Sequence, residues 1–258
     1  MRKLFIAILV LLAAVSCGKS KEEWKLVWTE DFDGKEIDQA SWSRVEHGRS
    51  DWNDMMSLRE DVAFIEDGQL VLLGKVNDGT SGDTTAFVTG GVLSKGKKSF
   101  TLAKYEVKAK FNCVNGFWPA IWLMPDKDIK WPLGGEVDIM EHLNSDTFVY
   151  QTLHSNYTKN VDPNATHHST ANINPNDRNV YGVEIYKDSI CMYTNGVKYL
   201  TYNRIEGAET QFPWSESPFY IILSNQLGGS WVGKVDTPEQ LPSELRIDWI
   251  KVYQLKEN

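Results

Sequence analysis

The chain has 258 residues, 41% hydrophobic and 24% charged, with ten each of Trp, Tyr and Phe, enough apolar material for one full-sized core. Its formal net charge of −8 argues against nucleic acid or another polyanion as a partner. The opening stretch MRKLFIAILVLLAAVSC sets a basic pair before an apolar run from Leu4 to Val15, which is the layout of a secretory leader and too short to span a bilayer.

Ala14-Val15-Ser16-Cys17 resembles a bacterial lipobox. It predicts cleavage after Ser16, lipidation of Cys17, and membrane contact through that lipid alone, with the chain at the cell surface or facing the periplasm. Residues 1–16 carry Arg2 and Lys3 and no acid, so their loss takes the charge from −8 to −10. Residues 17–23 then read as a lipidated tether. From Trp24 onward there is no Pro-rich or Ser-rich linker and no repeat, so residues 24–258 are expected to form one domain.

The body runs at period two, in segments of four to eight residues broken by Gly, Asn, Asp and Pro. In KYEVKAKF, residues Tyr105, Val107, Ala109 and Phe111 share one face while Glu106, Lys108 and Lys110 share the other. SICMYTNGVKYLTY carries an Asn195-Gly196 hairpin turn between two strand-like runs. PFYIILSNQL reads as a buried strand and LRIDWIKVYQ as a closing one. No segment predicts a long amphipathic helix, so the fold class is all-β, a sandwich of two sheets. Cys113 and Cys191 are expected to be separate thiols. Core packing is the expectation for Trp28, Trp42, Trp122 and Trp249.

The segment WPLGGEVDIMEHLN sets Glu136, Asp138 and Glu141 in a stretch that otherwise looks like a buried strand. Side chains alternate, so Glu136 and Asp138 share a face that Glu141 would leave. One extra residue between Asp138 and Glu141, a β-bulge, returns the third acid to that face and leaves Val137 and Ile139 on the core side. Three crowded carboxylates repel, which raises the pKa of at least one of them. Such asymmetry suits a retaining glycosidase, whose nucleophile and acid stand about 5 to 5.5 Å apart. Strand rise alone sets the two glutamates about 13 Å apart at Cα, so the sheet is expected to be concave and strongly bent. On residue chemistry alone, a calcium site or a polar strand edge remains the alternative.

GGEVDIME resembles the bulged E-x-D-x-x-E signature of glycoside hydrolase family 16. LVWTEDFDGKEIDQASW, GQLVL, GGVLSKGKKSFTLAKYEVKAKF, GFWPAIWLMP and IDWIKVYQ are similar, in order, to other strands of that family. The resemblance implies a concanavalin-like β-jelly-roll sandwich of two antiparallel sheets, with a β-linked oligo- or polysaccharide bound in a concave cleft. It implies a monomer that needs no cofactor for catalysis. By position it makes Glu136 the nucleophile, Glu141 the general acid then base, and Asp138 the carboxylate that steadies the nucleophile. Trp131 matches an aromatic platform for the sugar, Trp118 and Asn53 match cleft positions, and His154 matches a histidine beside the acids. Asp31, Gly68 and Asp248 match a structural calcium site on the convex side, with Asp31 where a Glu is usual.

The segments SNQLGGSW and QTLHS depart from the laminarinase pattern, while MEHLNSDTFVYQTLHSNYT is more similar to the endo-β-galactosidases of the family. Cleavage inside galactose-containing host glycans is therefore the expected activity, with β-1,3-glucan next and a lectin-like binding protein as the non-catalytic alternative.

Overall fold

The computed structural model describes residues 23–80, 82–174 and 177–256. The expected leader, Cys17 and all of the tether but Glu23 lie outside the described residues. The strands, in chain order, begin with β1 (Trp24–Glu30), β2 (Ser43–Arg44), β3 (Ala63–Glu66), β4 (Gln69–Val76), β5 (Phe87–Thr89) and β6 (Gly91–Leu93). Next come β7 (Ser99–Phe100), β8 (Ala103–Phe111), β9 (Phe117–Pro125), β10 (Glu136–Glu141), β11 (Phe148–His154) and β12 (His168–Asn172). The series closes with β13 (Asn179–Ile185), β14 (Ser189–Thr194), β15 (Val197–Asn203), β16 (Phe219–Leu227) and β17 (Ser243–Leu255). Helix is confined to single turns at Tyr157–Val161, Pro213–Ser215 and Pro238–Gln240 among the described residues. No helix among them is long and apolar enough to cross a membrane.

These strands make two antiparallel sheets. One follows the order β12-β11-β10-β9-β16-β6-β2, with β7 also on β16; this is the cleft sheet. The other follows β15-β14-β13-β8-β17-β4-β3, with β1 on β17 and β5 on β4. Period-two patterning dictates how they pack. Along β8 every second side chain from Ala103 to Phe111 is buried, and these meet Ile121, Leu123, Val137 and Leu223 of the cleft sheet in one core. At about 25 cal/mol per Å² of apolar surface, such burial is the main force joining the layers.

Polar staples fix the layers as well. The buried Tyr105 hydroxyl donates to the Phe219 carbonyl at 2.8 Å, and the amide of Asn225, on β16, donates to the Leu72 carbonyl of β4 at 2.6 Å. The β14–β15 hairpin turns on Asn195 and Gly196, both at positive φ (52° and 77°), as the Asn-Gly pair predicts. Cys113 and Cys191 are separate free thiols.

One tryptophan expectation fails, and another is met in a second core. Trp42 is buried and Trp28 packs against the same core, but Trp249 lies half-buried with the Lys251 ammonium 4.6 Å from its ring centroid. Its neighbours Ile247 and Ile250 both reach the core, because the strand shifts register between Ile247 and Trp249 and sends this side chain outward. Trp122 also faces away from the main core. On β9, Ile121 and Leu123 join that core, whereas Ala120 and Trp122 join a second apolar cluster with Val45, Met56, Tyr220 and Ile222, against which Trp52 and Met124 pack. This second cluster floors the cleft.

Candidate active site

The acidic strand β10 sits between β9 and β11. Against β11, Glu136 pairs with His154, Val137 with Leu153 and Asp138 with Thr152, after which the register jumps so that Glu141 pairs with Tyr150. Against β9, Asp138 pairs with Trp122 and Met140 with Ile121. Ile139 has no register partner on either side, so it is the extra residue of a β-bulge. Val137, Ile139 and Met140 all enter the core, and Glu136, Asp138 and Glu141 all line the cleft. The bulge thus costs the strand one alternation and gains a third acid on the working face.

Each glutamate receives an indole N–H. Trp131 Nε1 donates to Glu136 Oε2 at 2.8 Å, and Trp118 Nε1 donates to Glu141 Oε1 at 3.0 Å. Trp214, fully buried, donates to the backbone carbonyl of Glu136 at 3.0 Å. Gly135 permits this approach: it has φ 81°, and a Cβ there would stand 2.8 Å from Trp214 Nε1. His154 Nε2 lies 3.2 Å from Asp138 Oδ2 and 3.8 Å from Glu136 Oε1.

Burial is the first cause of every pKa shift in this group. It pushes Glu136 up to about 8, with the charge of Asp138 adding, and His154 and the Trp131 hydrogen bond opposing. Asp138 is likewise pushed up by its burial. Glu141 is raised well above the ordinary glutamate value by burial and by the charges of Asp138 and Glu136, against the Trp118 hydrogen bond. His154 is lowered by burial, with Glu136 and Glu141 opposing and the Lys159 ammonium assisting. Burial therefore favours a neutral ring, whose Nε2 faces Asp138. The site therefore holds shared protons on closely set acids, the condition for having an acid and a base side by side.

The cleft has a volume of about 570 Å³. Its walls combine the acids with Trp52, Trp118, Trp122, Trp131 and Tyr220, and with Ser224 and Gln226. Trp131 is 45% exposed, free to cover the flat C–H face of a sugar, and Lys159 Nζ lies 5.4 Å from its ring centroid. Trp231, from the loop after β16, stands edge-on to Trp118 at 5.4 Å and to Tyr150 at 5.1 Å.

Trp118, Trp131 and His154 thus stand where the sequence places them, beside the acids. Asn53 does not line the cleft. Its side-chain oxygen accepts the Ser50 backbone N–H at 3.1 Å and so closes its own loop, while its neighbour Trp52 turns inward and stacks edge-on against Trp122 at 4.8 Å. Trp52, Tyr220 and Gln226 escape sequence reasoning because they come from distant segments and carry no local motif. The bulge carbonyl has a partner that the sequence does not flag either: Ile139 O accepts Gln151 Nε2 at 3.1 Å.

The calcium expectation meets occupied ligands. Asp248 accepts Arg178 Nε at 2.9 Å, takes the Gln69 amide N–H and stands 3.5 Å from Lys108 Nζ, while Asp31 accepts the Thr29 hydroxyl at 3.2 Å. As placed, Asp31, Gly68 and Asp248 do not fit a calcium ion, since two side-chain cations already compensate Asp248. In the cleft, Glu136, Asp138 and His154 offer ligand atoms within 4.8 Å of one another. An imidazole is foreign to calcium's oxygen shell, and the Trp131 N–H already holds Glu136.

The family profile described as "XgeA-like, catalytic GH16 domain" matches residues 97–237. A keratan-sulfate endo-1,4-beta-galactosidase of Sphingobacterium multivorum is 35% identical over 237 residues, covering 90% of this chain; the chain spans 56% of that relative's length. The laminarinase of Rhodothermus marinus superposes with a TM-score of 0.80 at 25% identity, covering 92% of this chain and 99% of its own. A chain from work on endo-acting O-glycanases of the human gut microbiota that initiate mucin breakdown superposes at 0.79 with 28% identity, covering 90% and 100%. With matches of this extent, on a chain that carries the bulged acid strand in a two-sheet frame beside an aromatic cleft, the protein belongs to glycoside hydrolase family 16.

Proposed function

We propose that this chain is a retaining endo-β-glycosidase that cuts inside galactose-containing glycans. The observation that carries the chemistry is the bulge at Ile139, which turns Glu141 onto the face already occupied by Glu136 and Asp138. In this reading Glu136, as carboxylate, attacks the anomeric carbon while Glu141 gives its proton to the departing glycosidic oxygen. The glycosyl-enzyme ester is then opened by a water whose proton passes to Glu141. Asp138, whose burial favours its protonated form, steadies the charge of the nucleophile, and His154 orients Asp138. The surroundings of Glu141 support its role as the acid, since burial and the charges of Asp138 and Glu136 favour its protonated form.

For the substrate, 35% identity to a keratan-sulfate endo-1,4-beta-galactosidase supports the galactoside over the glucan reading, as does the likeness to a chain associated with mucin O-glycanases. Laminarin is the second reading, favoured by the superposition on a laminarinase. Mass spectrometry of products after incubation with mucin O-glycans, keratan, laminarin and mixed-linkage glucan separates them. A product ladder from laminarin alone overturns the galactoside reading. Glu136→Gln is expected to abolish turnover and leave glycan binding; surviving hydrolysis overturns the nucleophile assignment, and binding without turnover in the wild type supports the lectin-like reading. The same proposal tethers the enzyme to a membrane surface through Cys17, and palmitate labelling that persists in Cys17→Ala would refute it.

A further inference from the structure

A β-bulge leaves backbone groups off the ladder, and buried ones need another partner. Ile139, the bulge residue between the acids, is fully buried. Its carbonyl accepts from Gln151 Nε2, and Gln151 is itself fully buried on β11. The same Nε2 donates to the Tyr193 carbonyl at 3.3 Å, on β14 of the opposite sheet. Tyr193 also sits at an irregularity, because the β14–β15 register shifts between Met192 and Tyr193. Gln151 Oε1 accepts the Ser169 hydroxyl of β12 at 3.3 Å. Two carbonyls and one hydroxyl around the amide fix its orientation: the nitrogen must face the carbonyls and the oxygen the hydroxyl.

We propose that Gln151 is a positioning residue for catalysis, whose one amide pins the bulge of the acidic strand to an irregularity in the opposite sheet and thereby holds Glu141 in line with Glu136. It touches neither acid and lies outside the cleft lining. Its leverage comes from where the bulge stands. Glu136, Val137 and Asp138 pair with His154, Leu153 and Thr152 before the bulge, and Glu141 pairs with Tyr150 and Ala120 after it, so the geometry of the bulge sets how the Glu141 register is offset from that of Glu136. The inference rests on the roles proposed above for the two glutamates.

The test replaces Gln151 by Met, similar in length and unable to donate. A misplacement on the scale of 1 Å at a reacting group costs roughly 100-fold in rate, so kcat is expected to fall roughly 10- to 100-fold while KM stays within about twofold. The pH profile of kcat/KM provides the readout that general destabilisation would not move: the basic limb, set by Glu141, shifts, and the acidic limb, set by Glu136, stays. Ser169→Ala, which removes only the partner of Oε1, is expected to give the same pattern more weakly and serves if Gln151→Met does not fold. Wild-type kcat and both limbs in folded Gln151→Met, or in Ser169→Ala where the first does not fold, overturn the inference; so does a uniform loss with neither limb displaced. Glu136→Gln and Glu141→Gln, measured alongside, separate the two levels. If those variants keep full activity, the roles fail and the inference with them; if they are dead and the Gln151 and Ser169 variants are unaltered, only the inference fails.

Discussion

Replacing Trp131 by Phe isolates one interaction of Glu136, the proposed nucleophile. The ring survives as a smaller platform, but the N–H that meets Glu136 Oε2 at 2.8 Å is lost. A hydrogen bond to a charged group contributes about 1.5–3 kcal/mol. Trp131 is 45% exposed, so water refills part of the gap and a net loss of about 1 kcal/mol is the reasonable figure. The donor stabilises the carboxylate, so its removal raises the pKa of Glu136. One unit corresponds to about 1.4 kcal/mol, which gives an upward shift of about 0.7 unit. The acidic limb of kcat/KM, lying between the ordinary 4.5 and the raised value of about 8, should move to higher pH by that amount. Below the limb the rate falls about fivefold further than above it, where only the smaller ring matters. Initial rates across the pH range on one soluble substrate measure this. A limb that stays in place, or moves to lower pH, refutes the electrostatic account of Trp131.

Glu136→Gln should also change how stability depends on pH. Because the folded pKa is raised, Glu136 favours the folded state below about 4.5 and loses that contribution as pH rises through about 8. The melting temperature of the variant should match wild type near pH 4 and exceed it by several degrees near pH 9, read by calorimetry; a constant difference contradicts the burial argument. Trp214→Phe removes the donor to the Glu136 carbonyl at a fully buried site, which costs about 2 kcal/mol. The expected drop in melting temperature is roughly 4–8 °C, and a change under about 1 °C would contradict it. Trp52→Ala strips the edge of the cleft where Trp52 meets Trp122, so KM should rise roughly 3- to 10-fold with kcat little changed; steady-state kinetics on a long glycan decide.

How much of the fold and site is legible in the sequence depends on how local each signal is. Alternation in β8 and the Asn195-Gly196 turn are properties of neighbouring residues, and the structure repeats both. The bulge is legible too, because three acids within six positions make chemical sense only if one alternation is skipped. The face that Trp122 takes is not legible because β9 is covered on both sides: its burial is nearly continuous, so core and cleft faces look alike along the chain. Asn53 and Trp52 are adjacent, and only the loop's own closure at Ser50 decides which of them turns inward. Gln151 begins the segment QTLHS, yet its task depends on Tyr193, 42 positions away on another sheet. Asp248 cannot be judged without knowing that Arg178 and Lys108 fold beside it.

The pairing of each glutamate with an indole gives the enzyme an optical readout of its own chemistry. Trp131 and Trp118 feel the ionisation of Glu136 and Glu141 directly through their N–H bonds, so absorbance and emission near the red edge should track each proton as it leaves. Swapping either ring for one with a distinct spectrum would resolve the two ionisations without a labelled sugar.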